Sequence, residues 1–196
     1  MKFCSASRPT ERIGKSEGLV LTASGTAQQT TSLLSQTGPA LATLLDLPLR
    51  WISLDCSPHE ALVRLQGGEY EASTGGWLGV LSMDPGLPLE AGGGWVDVLA
   101  AYCQPTLAFL TDCQLKTGLP AATTALLVQA KVPLIGLIQW GKHWDPLARR
   151  QDGLPWLGAM NPNHEPATEA DRFADNPDEE ALRLALRHRW SQIRSS

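Results

Sequence analysis

Residues 106–139 read TLAFLTDCQLKTGLPAATTALLVQAKVPLIGLIQ. Two short apolar runs, Thr106–Thr111 and Pro133–Gln139, flank a stretch of small, helix-compatible residues at Pro120–Ala130. Both runs are nearly continuous in hydrophobic residues, the pattern of strands covered on both faces. Their starts lie 27 residues apart, too far for a hairpin and far enough for a strand plus a crossover helix.

The same unit recurs upstream. Leu19–Ala23 (LVLTA), Leu49–Leu54 (LRWISL) and Trp77–Ser82 (WLGVLS) begin 30, 28 and 29 residues before the next run. A sixth short run falls at Leu154–Ala159. This repeat predicts an α/β, three-layer sandwich with a five- to six-stranded, mainly parallel sheet between helices. The linking segments Ala27–Leu47, Pro58–Leu65 and Val96–Cys103 read as helices. Gly38-Pro39 is expected to split or kink the first. Ser57 as cap and Pro58 at the first position open the second. Gly67–Gly76 and Asp84–Gly94 read as Gly/Pro-rich loops.

The ends differ from the middle. Met1–Glu17 is polar and lacks the apolar core of a signal peptide. Residues 161–196 hold 12 charges, and the preceding 160 hold 24. The chain therefore divides into a polar arm (1–17), an α/β domain (18–160), a polar linker (161–175) and a C-terminal helix (176–196). Asn176-Pro177-Asp178-Glu179-Glu180 is a helix start, with a cap, a proline at the first position and acids at the positive end of the dipole. Leu182, Leu186, Trp190 and Ile193 form one stripe of an amphipathic helix, which either packs on the domain or docks a partner.

Composition narrows the function classes. The chain has 196 residues, 43% hydrophobic and 18% charged, with a formal net charge of −4. Such a balance favours neither nucleic acid nor anionic lipid. The most apolar stretch, Ala125–Trp140, is interrupted by Gln129, Lys131 and Pro133, so no membrane span is expected. Cys4, Cys56, Cys103 and Cys113 show no C-x-x-C spacing, and the last two sit in apolar stretches as expected of small buried hydrophobes. His59, His143, His164 and His188 show no i, i+4 metal spacing and read as surface residues. No metal site is expected, and the expected location is the cytoplasm.

Three segments can carry chemistry. Gly14-Lys15-Ser16 is not one of them, because it precedes the first strand and Pro9 stands where a phosphate loop needs its first glycine. The loop after Leu19–Ala23 contains Ser24, Gly25 and Thr26 but no lysine, and reads as a helix cap or a weak anion site. Glu90-Ala91-Gly92-Gly93-Gly94-Trp95 allows close backbone approach to a ligand, with Glu90 suited to Mg²⁺ or an amine, or is a plain loop. Trp140-Gly141-Lys142-His143-Trp144 leaves the fifth strand at the edge where open α/β sheets bind ligands. There Trp140 and Trp144 can stack a planar group, while Lys142, Arg149 and Arg150 can meet phosphate or carboxylate.

EAGGGW (Glu90–Trp95), Leu99–Trp140 and DGLPWLGAMNP (Asp152–Pro162) together resemble the C-terminal half of dethiobiotin synthetases and related P-loop ATPases. The resemblance implies a P-loop α/β sandwich and, in that branch, ATP- and Mg²⁺-dependent carboxylation and ring closure of a diamino acid. It would give Glu90 the Mg²⁺-associated role, Gly92 and Gly93 the substrate-side turn, and Asn161-Pro162 part of the adenine-side loop. The chain departs from that pattern in lacking the P-loop, and Glu90 lies eight residues beyond Ser82. The expectation is a non-catalytic relative binding a small anionic or nucleotide-like ligand, or a protein partner. Ser24, Thr26, Glu90, Gly92, Gly93, Trp140, Lys142 and Asn161 are its candidate ligand residues. An active ATP-dependent cyclo-ligase, needing ATP and Mg²⁺, and a scaffold docking through its C-terminal helix are the alternatives.

Overall fold

The computed structural model describes residues 18–67, 76–89, 93–141, 144–161 and 177–195. Six strands alternate with helices: β1 (Gly18–Ala23), α1 (Ala27–Leu45), β2 (Leu49–Trp51), α2 (Pro58–Gly67), β3 (Trp77–Val80), α3 (Trp95–Ala101), β4 (Thr106–Thr111), α4 (Leu119–Gln129), β5 (Leu134–Trp140), α5 (Pro146–Gln151), β6 (Trp156–Met160) and α6 (Pro177–Ser195). The strands form one sheet in the order β2-β3-β1-β4-β5-β6, with every neighbouring pair parallel.

Alternation along the central strands builds two cores. Leu19, Leu21, Leu107 and Phe109 face α1 and α6, whose Leu34, Leu41, Leu182 and Leu186 are buried with them. Val20, Ala108 and Leu110 face the other layer, which contributes Leu62 of α2, Trp95 and Leu99 of α3 and Leu127 of α4. Gly136 in β5 is required by this packing. A β-carbon there would stand 2.7 Å from the Pro155 carbonyl oxygen and 2.6 Å from Leu157.

The β1 connection carries the chain outward to β2 through α1, whereas the β4 connection heads the opposite way through α4. β1 and β4 are neighbours, so the connections leaving their carboxyl ends diverge between them, the topological switch point at which open α/β sheets usually bind ligands.

Several boundaries depart from expectation. Within the Ala27–Leu47 segment a single helix runs over Ala27–Leu45, unbroken at Gly38-Pro39. Gly38 is buried, and a β-carbon on it would lie 3.1 Å from Val80. Burial of this face against the sheet outweighs the proline penalty of about 3 kcal/mol. β2 and β3 are shorter than their apolar runs, although Ile52 still donates to the Val80 carbonyl and Leu81 to that of Leu21. α5 was not anticipated; Asp145 caps it, accepting from the Leu147 and Ala148 amides, with Pro146 at the first position. Cys103 and Cys113 are exposed rather than buried, because each occupies the turn beyond an element rather than the element itself. Cys103 has φ 46° just past α3. His59 and His188 are exposed, as expected. Among the described residues, no helix is long and apolar enough to cross a membrane.

Ser57 and Glu60 form a reciprocal cap at the start of α2. On α6, Arg183 holds both oxygens of Glu180, with Nε–Oε2 at 2.7 Å and Nη2–Oε1 at 2.8 Å. That hydrogen bonding, with the charges of Arg183 and Arg187, holds the Glu180 carboxyl below the usual glutamate range. A carboxyl depressed on folding stabilises above its unfolded pKa, and the contribution fades as pH falls through the folded value. Thermal midpoints of the native chain and Glu180→Gln should therefore differ slightly at pH 7 and converge on acidification toward pH 3. A gap that widens in acid would contradict this assignment.

Candidate functional site

The carboxyl ends of β1, β3 and β4 are tied together across long sequence separations. Thr22 Oγ1 donates to the Met83 carbonyl at 3.3 Å, and Thr31 Oγ1 to that of Ser82 at 3.4 Å. Beyond β3, Asp84 accepts from two backbone amides. Gly25 donates to Oδ2 and Gly86 to Oδ1, each at 2.9 Å. Beyond β4, the Gln114 amide nitrogen donates to the Ser24 carbonyl at 2.7 Å, while its oxygen accepts from the Thr111 amide at 2.8 Å. Gln139 of β5 donates to Asp112 Oδ1 at 2.7 Å.

Ser24 is buried at 3% exposure, and its hydroxyl accepts from Thr123 of α4 at 2.8 Å. Through its hydroxyl and carbonyl oxygens Ser24 ties β1 to α4 and to Gln114. Thr26 is exposed and caps α1: its Oγ1 accepts from the Gln29 amide at 3.3 Å. Gln29 Oε1 returns to Thr26, accepting from its N–H at 3.0 Å and its hydroxyl at 3.1 Å. This reciprocal box closes the helix start. Gly25, at φ 139°, supplies a backbone conformation that L side chains rarely adopt. Its N–H points at the Asp84 carboxylate rather than outward.

That arrangement decides the fit to a polyphosphate. A phosphate beside Gly25 would meet a carboxylate already on the amide. Two unit charges 4 Å apart repel by about 4 kcal/mol at an effective dielectric of 20. With no lysine in residues 24–31 to offset this, the β1–α1 connection does not fit an ATP phosphate chain. Among the described residues, no three His, Cys, Asp or Glu side chains gather as a metal site.

Trp140 and Asn161 come together; both line a cavity of about 490 Å³ with Gln36, Met160 and Glu179. Trp140 also walls an adjoining cavity of about 430 Å³ with Gln28, Gln29, Ser32, Gln36, Gln114 and others. It stands T-shaped to Phe109, with centroids 6.2 Å apart and planes at 79°. Trp144 does not join it. That ring packs on Trp156, on the opposite face of the sheet, with centroids 6.4 Å apart. Arg149 likewise lies 5.2 Å over Trp156 and 3.2 Å from Asp152, rather than at the ligand edge. Gly93 is exposed at φ 72° in the turn before α3, with its carbonyl accepting from Leu89. Glu90, Gly92 and Lys142 lie outside the described residues.

Asp84, Gln114, Gln29 and Gln36 were missed by sequence reasoning. Asp84 follows an apolar run, WLGVLSM, and an acid at a strand's carboxyl end is a signal that could have been read. The glutamines carry no comparable signal, since their roles depend on a fixed rotamer. The chain matches no family model, and no curated protein proves similar to it.

Proposed function

We propose that this chain is a dethiobiotin-synthetase-like α/β domain that does not turn over ATP and uses the carboxyl edge of its sheet to bind a small nucleotide-like ligand. One observation carries the reading: the Asp84 carboxylate sits on the Gly25 amide, in a β1–α1 connection without a cation. The sheet order supports a ligand role for the edge, since the crevice between β1 and β4 is where such sheets take ligands. The scaffold alternative is weaker, because the apolar stripe of α6 is spent on the core. The reading carries a cytoplasmic location, with Cys56, Cys103 and Cys113 as unbridged thiols suited to a reducing compartment.

The test is phosphate release by the purified chain supplied with Mg-ATP, bicarbonate and a diamino acid. The expected rate equals the protein-free background. Turnover that scales with protein concentration overturns the reading and restores the cyclo-ligase.

A further inference from the structure

We infer that the groove along the flank of α1 binds a neutral, planar heteroaromatic ligand of nucleoside size, held without any contribution from phosphate. This rests on the ligand role proposed for the edge. The two cavities share Gln36 and Trp140, and their volumes of about 430 and 490 Å³ lie in the range of small-molecule sites. Among the described residues, no charged side chain lines the first, and Glu179 is the one charged residue lining the second. The described walls offer a polyanion no counter-charge, whereas an uncharged ring is not penalised by them.

The α1 wall is polarised in a definite order. Gln29 Oε1 is held by Thr26, so its amide nitrogen is left as an outward donor. Gln36 Nε2 donates to the Ser32 carbonyl at 3.3 Å, so its oxygen is left as an outward acceptor. Neither outward atom bonds to another described residue. Seven residues separate the two, which places them on one face about 10 Å apart along the helix. The Ser32 hydroxyl lies between them. Trp140 supplies the aromatic surface opposite, braced by Phe109. A donor and an acceptor at that separation beside an indole match a heterocycle carrying a sugar-sized polar group. A single small amide would span only half the wall.

The experiment titrates the full chain calorimetrically with adenosine, uridine, AMP and ATP. In parallel, iodoacetamide labelling of Cys113, an exposed thiol lining the same cavity, is followed by mass spectrometry. The expected result is saturable binding of adenosine or uridine that slows Cys113 alkylation, with AMP and ATP no tighter. Gln29→Glu keeps an oxygen for Thr26 and so keeps the cap, but replaces the outward donor with an acceptor. It should leave the thermal midpoint unchanged or higher and weaken nucleoside binding about tenfold or more, the equivalent of one lost hydrogen bond. Three results overturn the inference: no nucleoside binding at millimolar concentration, ATP binding at least tenfold tighter than adenosine, or Gln29→Glu binding as the native chain does. Absent nucleoside binding removes this inference alone, whereas ATP turnover removes the non-catalytic reading beneath it.

Discussion

Leu186→Ala should lower the unfolding free energy by about 2–5 kcal/mol, the range for emptying a buried leucine site. Leu186 and Leu182 are each 1% exposed, and both belong to the core shared by α1, β5 and β6. Trp190 sits one turn further along the same stripe at 9% exposure. Arg187 reinforces the attachment, donating from Nη2 to the Leu45 carbonyl at 3.1 Å, where α1 ends. Native domains are stable by only about 5–15 kcal/mol, so the loss is a large part of the whole. Denaturant midpoints at constant slope would measure it. Leu184→Ala, at a position 58% exposed on the same helix, serves as the control and should stay within about 0.5 kcal/mol. A Leu186→Ala midpoint matching the control would mean that α6 is a detachable docking helix rather than part of the core.

Asp84→Ala should cost about 1.5–3 kcal/mol, the range for hydrogen bonds to a charged group, and partial exposure sets it at the lower end. Two amides from different loops lose their acceptor at once, and Gly25 is held at φ 139° by one of those bonds. Asp84→Asn should rescue little. Its two side-chain atoms face two donors, and one of those atoms is now itself a donor. Phosphate release should remain at background in both variants, because neither supplies the missing cation. Urea titration checks the first part and a phosphate assay the second. A change below about 0.5 kcal/mol in both variants would show that Asp84 does not hold the loop.

The strands were legible because a parallel sheet buried on both faces demands nearly continuous apolar runs, and a crossover helix sets their spacing. Thr106–Thr111 coincides with β4 to the residue. Local chemistry also located the cap at Ser57 and the start of α6 at Pro177, since helix starts depend on residues three or four apart, while the Asn176 cap lies outside the described residues. The misjudged elements turned on remote contacts. Pro39 inside α1 is tolerated because the helix is pressed onto β3, and the positions of Cys103 and Cys113 depend on where a turn leaves the sheet.

The site was legible only in part. Trp140 follows from its place at the carboxyl end of β5 and Asn161 from the family resemblance, and they meet because β5 and β6 are adjacent and parallel. Ser24 sits at the candidate edge by sequence position, but its burial and the bond its hydroxyl oxygen accepts from Thr123, 99 residues away, show only in the fold. Trp144 was paired with Trp140, yet the two rings lie on opposite faces of the sheet.

By itself the sequence determined the α/β class, the strand positions, the capped helix starts and the absence of a lysine after β1. Each is a matter of residue type and short spacing. Only the tertiary structure decided the strand order, the seating of Asp84 on Gly25 across 59 residues and the polarity of the α1 groove. Those depend on which distant groups satisfy one another's hydrogen bonds once the chain is packed, and a linear pattern carries no record of that pairing.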